Sequence, residues 1–232
     1  MSEVPPSGPV DVGGSVLWAL RTFRSNAVPL MATAAIVPVL GVPQQFATQP
    51  LAGYADCLVL ELSGSVGACD GILAPQTLIT FVSALVFVVA SVLAQFAVIR
   101  MSLTLVDGRP VTVGMAYSLV GTATFMGSVL VAIAAVAVGV VFCLIPGLVA
   151  LFFLQLAPFA ALDGRISVGG ALKRSAQLVR RNAATALLLM AIDISAYLLG
   201  GLFFGVVTLL TLPFAALVSA HAYRQFTREP II

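Results

Sequence analysis

The chain has 232 residues, of which 60% are hydrophobic and 9% charged, against roughly 25% charged in an ordinary soluble domain. Mean hydropathy is +1.12, and eleven basic and nine acidic side chains leave a formal charge of only +2. So little polar sequence excludes a large soluble domain, and so small a basic surplus excludes a nucleic-acid partner; a polytopic membrane protein remains.

Residues 1–9, with Pro5, Pro6 and Pro9, read as a disordered tail, and 10–232 as one integral membrane domain. Arg21 and Arg24 precede the first apolar stretch, 27–47. A cleaved signal peptide has that charge order, but this stretch exceeds an h-region of about 7–15 residues and no small-x-small site ends it. A span needs about 20 apolar residues, so 27–47 makes the first, with Pro29, Pro38 and Pro43 kinking or shortening it. Residues 49–76 form the longest polar connection, with Asp56, Glu61 and Asp70 but no basic residue. Cys57 and Cys69 share this loop, where an oxidising compartment would let them pair and stiffen it.

Residues 77–99 make the second span, closed by Arg100. The run 124–162 is too long for one span and is divided by Ile145-Pro146-Gly147, a turn signal, into 124–144 and a shorter 148–162. Cys143, within the third span, reads as a small buried hydrophobe. The run 183–223 also crosses twice, and Gly200-Gly201 is its central breaker; as a turn, that pair is a simpler reading than a Gly201-xxx-Gly205 packing face. The expected fold is therefore an all-α bundle of about six transmembrane helices. By alternate-loop counting all eleven Lys and Arg fall on one side, the positive-inside signature, with both termini cytoplasmic. One Lys against ten Arg, with abundant Ala, Val and Gly, is the bias of a GC-rich bacterial genome, which makes a bacterial plasma membrane the expected location.

A short signal recurs between the hairpins: Val10-Asp11-Val12-Gly13, Val111-Thr112-Val113-Gly114 and Ile166-Ser167-Val168-Gly169. Each places Asp, Thr or Ser where a helix N-cap oxygen is needed. Asp107-Gly108-Arg109 and Asp163-Gly164-Arg165 precede the second and third copies, and the first and third share Gly-Gly followed by Asn26-Ala27 and Asn182-Ala183. Such self-similarity suggests a threefold unit, a short interfacial helix followed by a two-span hairpin. In the third copy Lys173, Arg174, Gln177, Arg180 and Arg181 fall within an arc of about 120°, opposite Ala171, Leu172, Leu178 and Val179. That is a helix lying against anionic headgroups, with membrane-protein partners as further candidates for its basic face. The first copy offers Trp18, Arg21 and Arg24 as interface anchors. The second, 113–123, has no charge and reads as buried.

The order of these motifs resembles the YciC-like group of bacterial six-span membrane proteins, similar to the membrane domain fused to some glycerophosphodiester phosphodiesterases. Val113-Gly114, Ile145-Pro146-Gly147, Ala157-Pro158, Asp163-Gly164, Ala171-Leu172-Lys173-Arg174-Ser175 and Asn182 carry the resemblance, within 106–183. It implies the six-span fold and no catalytic residue, since the acidic metal-binding motifs of the phosphodiesterase domain are absent.

Asp193 is the one ionisable residue deep in a span, about 15 Å from the basic end. An acid there is costly and marks either a relay or ligand contact or a neutral packing contact; Gln95 and Gln155 are polar candidates at similar depth. His221, the only histidine, reads as an interfacial anchor. No metal-ligand spacing, phosphate loop or nucleophile elbow is present, so neither an enzyme nor a cofactor is expected. An accessory or scaffold subunit of an envelope complex leads, because few polar residues are available to line a path. A small transporter or lipid-handling protein with a polar path around Asp193 is the alternative.

Overall fold

Helix boundaries follow from caps that the sequence carries. The computed structural model describes residues 10–39, 75–117, 121–142, 144–164, 166–202 and 206–227, which are helical or turn with no strand among them. In chain order the helices are α1 (Val12–Ser25), α2 (Ala27–Ala34), α3 (Pro75–Val106), α4 (Val113–Ala116), α5 (Thr122–Phe142), α6 (Leu144–Leu154), α7 (Ala157–Asp163), α8 (Val168–Arg181), α9 (Ala183–Leu202) and α10 (Thr208–Thr227). The tail 1–9, Cys57, Cys69 and Cys143 lie outside the described residues.

The first and third repeat copies match in detail. The Asp11 side chain accepts from Gly14 N–H and that of Ser167 from Gly170 N–H, each capping a 14-residue helix. Both helices end on asparagine, where Asn26 Nδ2 donates to the Thr22 carbonyl and Asn182 Nδ2 to that of Leu178, each at 3.1 Å. The chain turns there and α2 or α9 begins at the next residue. The second copy departs from expectation. Thr112 makes no side-chain cap, α4 has four residues, and Met115 is 52% exposed rather than buried. Gly121 then takes a φ of 81° before α5 starts.

The segments Val82–Val106, Thr122–Gly139, Ile145–Asp163 and Ala183–Leu202 are long and apolar enough to cross a membrane. Only 17–33% of each is buried inside the protein, so their aliphatic faces, among them Leu85, Leu130 and Leu198, point outward. Apolar surface of that extent on helices of span length is matched to lipid. Of the six spans expected, four are of this kind among the described residues, and the described part of the first stretch is a shorter apolar helix, Ala27–Val39. α10 is the central helix, packed by α1, α2, α3 and α9, and from Leu217 to Arg224 every residue is buried. Its Ser219, His221 and Arg224 lower its hydropathy and are enclosed by protein.

Three expected boundaries shift. α3 does not stop at Arg100 but runs 32 residues to Val106, about 48 Å at 1.5 Å per residue. It ends in a Schellman turn: Gly108 N–H bonds the Leu105 carbonyl and Arg109 N–H that of Thr104, with Gly108 left-handed at φ 69°. Ile145-Pro146-Gly147 is not the turn between α5 and α6 but the first turn of α6, where Pro146 lacks only an N–H that would have no helical partner. Gly147 lies against Gly139, so close that a Cβ at Gly139 would fall 2.6 Å from the Gly147 nitrogen. Gly200-Gly201 likewise stays inside α9, and Gly200 admits Thr208 of α10, whose Cγ2 would lie 2.4 Å from an added Cβ.

The shorter expected span, 148–162, is broken between α6 and α7 at Gln155-Leu156, because Pro158 cannot donate in the next turn. Ser175 of α8 donates to the Phe153 carbonyl at 2.8 Å, supplying a partner at the break. α8 thereby seats on α5, α6 and α7 through a buried stripe of Ala171, Ser175 and Val179.

Candidate functional site

Two groups of polar side chains sit inside this apolar frame, one in a cavity and one at the basic end of the bundle. The cavity holds about 590 Å³, within the range of small-molecule sites. α3, α5, α6, α7, α9 and α10 contribute to its wall, which is mostly aliphatic, with Val92, Val129, Val136, Leu154 and Met190 among the contacts. Gln95 from α3, Gln155 from the α6–α7 break and Asp193 from α9 all line it, so the three intramembrane candidates meet in one space.

The same space admits Tyr197, Thr211 and Ser219. Ser219 Oγ donates to Asp193 Oδ1 at 3.4 Å. Gln155 Nε2 donates to the Ala186 carbonyl at 3.1 Å, while its Oε1 is buried with no hydrogen-bond partner among the described residues. The break before Pro158 is what turns the Gln155 amide toward α9. Ile133, Leu151, Ile194 and Tyr197 line the cavity yet are exposed on the outside of the bundle. Its mouth therefore opens sideways, through the apolar surface.

The second group assembles around Arg224 on α10, whose side chain is 8% exposed. Its Nη2 lies 2.8 Å from Asp107 Oδ1 and its Nη1 2.5 Å from Asp163 Oδ1. Tyr223 Oη donates to Asp163 Oδ2 at 3.1 Å. Arg109 closes on Asp107 at 2.8 Å and Arg174 approaches Asp163 at 3.7 Å. The two carboxylates are the leading residues of the two Asp-Gly-Arg tripeptides. Their repetition was visible in the sequence; their shared partner, 61 residues beyond the second Asp, was not.

This cluster revises the basic helix. Lys173, Arg180 and Arg181 are exposed on α8, but Arg174 turns inward, ion-paired to Asp163 and placed over the Tyr223 ring at 5.8 Å. The outward basic face is three residues rather than four.

His221 is not a surface anchor either, and the partly buried Trp18 packs against it. The imidazole is 8% exposed and stacks on Trp18 with ring centroids 4.7 Å apart. Gln225 Oε1 accepts from Asp11 N–H at 2.9 Å, which orients the amide so that Nε2 donates to His221 Nδ1 at 3.0 Å. Ser15 Oγ lies 2.9 Å from the same ring nitrogen. An acceptor Nδ1 means a neutral imidazole, and the Ser15–His221 pair ties α1 to α10 with Ser15 fully buried. Among the described residues no cluster of His, Cys, Asp or Glu could hold a metal ion.

The chain is 27% identical to the uncharacterized protein Rv2560 of Mycobacterium tuberculosis and equally to the uncharacterized protein Mb2590 of Mycobacterium bovis. Each match covers 95% of this chain and 70% of the relative. No family model matches the chain. No solved structure matches it.

Proposed function

We propose that this is an integral protein of a bacterial plasma membrane that binds an amphiphilic molecule in its lateral cavity, as a small transporter or lipid-handling protein. In this reading the bundle crosses the membrane with both termini and the Arg224 cluster on the cytoplasmic side, in keeping with the one-sided basic residues. The resemblance of 106–183 to the YciC-like group belongs to the same proposal. One observation carries it: a cavity of about 590 Å³ gathers Gln95, Gln155 and Asp193 behind an aliphatic mouth. Packing alone would favour filling such a space, because an interior void forfeits dispersion contacts. The proposed activity is binding, with no catalytic role and no cofactor.

The test is purification in mild detergent followed by mass spectrometry of extracted small molecules and co-purifying chains. Binding predicts a recurrent amphiphile that is lost when Ala132, on the cavity wall, is replaced by Phe. A stoichiometric protein partner with no bound amphiphile would favour the accessory-subunit reading instead.

A further inference from the structure

The polar wall of the cavity is one-sided in its charge. Neither Lys nor Arg lines it. Three of its polar groups donate within the protein, Gln155 to the Ala186 carbonyl, Thr211 Oγ1 to the Val207 carbonyl at 3.2 Å and Ser219 to Asp193, and Gln95, Thr208 and Tyr197 complete the polar wall. The one ionisable acid on the wall is Asp193, and its carboxyl is the charge the cavity can offer a ligand. An anionic head such as a phosphate would meet acceptors and an acid, with no cation to offset its desolvation. A neutral hydrocarbon would make no use of the Asp193 carboxyl.

We infer that the cavity takes a lipophilic cation: a positively charged head against Asp193, with its apolar body among Val129, Val136, Leu154 and Met190. This deepens the proposed amphiphile-binding function and rests on it. A carboxylate in apolar surroundings needs a counter-charge to remain ionised, and among the described residues no ion pair to Asp193 is formed. The ligand supplies that charge. Tyr197, one turn beyond Asp193 and 55% exposed at the mouth, presents an aromatic face that attracts cations as they enter. Arg109, Arg174 and Arg224 gather at the other polar group, where Asp107 and Asp163 neutralise them, so none of them is available to the cavity.

The experiment uses the full chain in nanodiscs, with radiolabelled tetraphenylphosphonium as probe and empty nanodiscs as the partitioning control. Competition is measured with dodecyltrimethylammonium, dodecanol and dodecyl sulfate, which share a tail and differ in head. Saturable binding displaced by the ammonium far better than by the alcohol or sulfate is expected. Asp193→Asn should weaken probe binding about ten- to a hundredfold, the loss of one charge-assisted contact, with Asp193→Glu retaining most of it. If dodecanol competes as well as the ammonium and Asp193→Asn binds the probe normally, the cation inference is overturned while amphiphile binding stands. Absence of saturable binding for every compound, with Ala132→Phe indistinguishable from the parent, would overturn both. Should Asp193→Asn not fold, head-group selectivity in the unaltered protein still decides.

Discussion

Arg224 is the residue on which the basic end of the bundle converges, and its surroundings explain what its loss would do. Two carboxylates and Tyr223 are arranged about a guanidinium that is nearly out of solvent. A buried pair contributes little beyond a well-packed apolar substitute, but removing one partner leaves the other buried and uncompensated. Arg224→Leu is therefore expected to cost about 3–5 kcal/mol, read as a lowered thermal midpoint in detergent. Asp163→Asn should cost more than Asp107→Asn, since Asp163 also receives Tyr223 and Arg174 and is less exposed, 12% against 21%. Equal effects of the two Asn variants would contradict this arrangement. In the sequence both aspartates stood out only as a repeated tripeptide. A charge's partner depends on which distant helix ends meet, and local pattern holds no record of that.

At the scale of the helix pair, glycines that look alike in sequence do different things. Gly139 meets the Gly147 backbone, which cannot rotate away from an added methyl, whereas among the described residues nothing lies within 4 Å of a Cβ at Gly201. Gly139→Ala should destabilise the α5–α6 hairpin by about 1–3 kcal/mol, the range for overpacking. Gly201→Ala should be neutral or stabilising by about 0.5 kcal/mol, from reduced backbone entropy. Thermal melts of the two variants in one detergent check both, and similar midpoints would refute the close α5–α6 contact. Pro146-Gly147 and Gly200-Gly201 sit beside the turns and serve the packing of the helices that the turns join. The asparagine-ended helices α1 and α8 were legible, because a cap and an amphipathic stripe are local properties.

For the whole molecule, the proposed threading makes a direct prediction. Reporter fusions at Ala171 should show no activity with an export-dependent reporter, and fusions at Gly64 should show full activity; the reverse pattern would invert the orientation. The sequence by itself determined the all-α class and the stretches long and apolar enough to cross a bilayer. Each depends on hydropathy and charge summed over neighbouring positions, which the chain states directly. It also marked Asp193, Gln95 and Gln155, because a polar group in an apolar run is costly wherever it lands. Only the tertiary structure decided that these three share a cavity, that α10 is an enclosed central helix, and that Arg174 and His221 face inward. Those outcomes turn on the rotation and spacing of helices far apart in sequence. Helix rotation is set by packing, by the glycine contacts at Gly139 and Gly200 and by the break at Pro158, and no single segment contains that information.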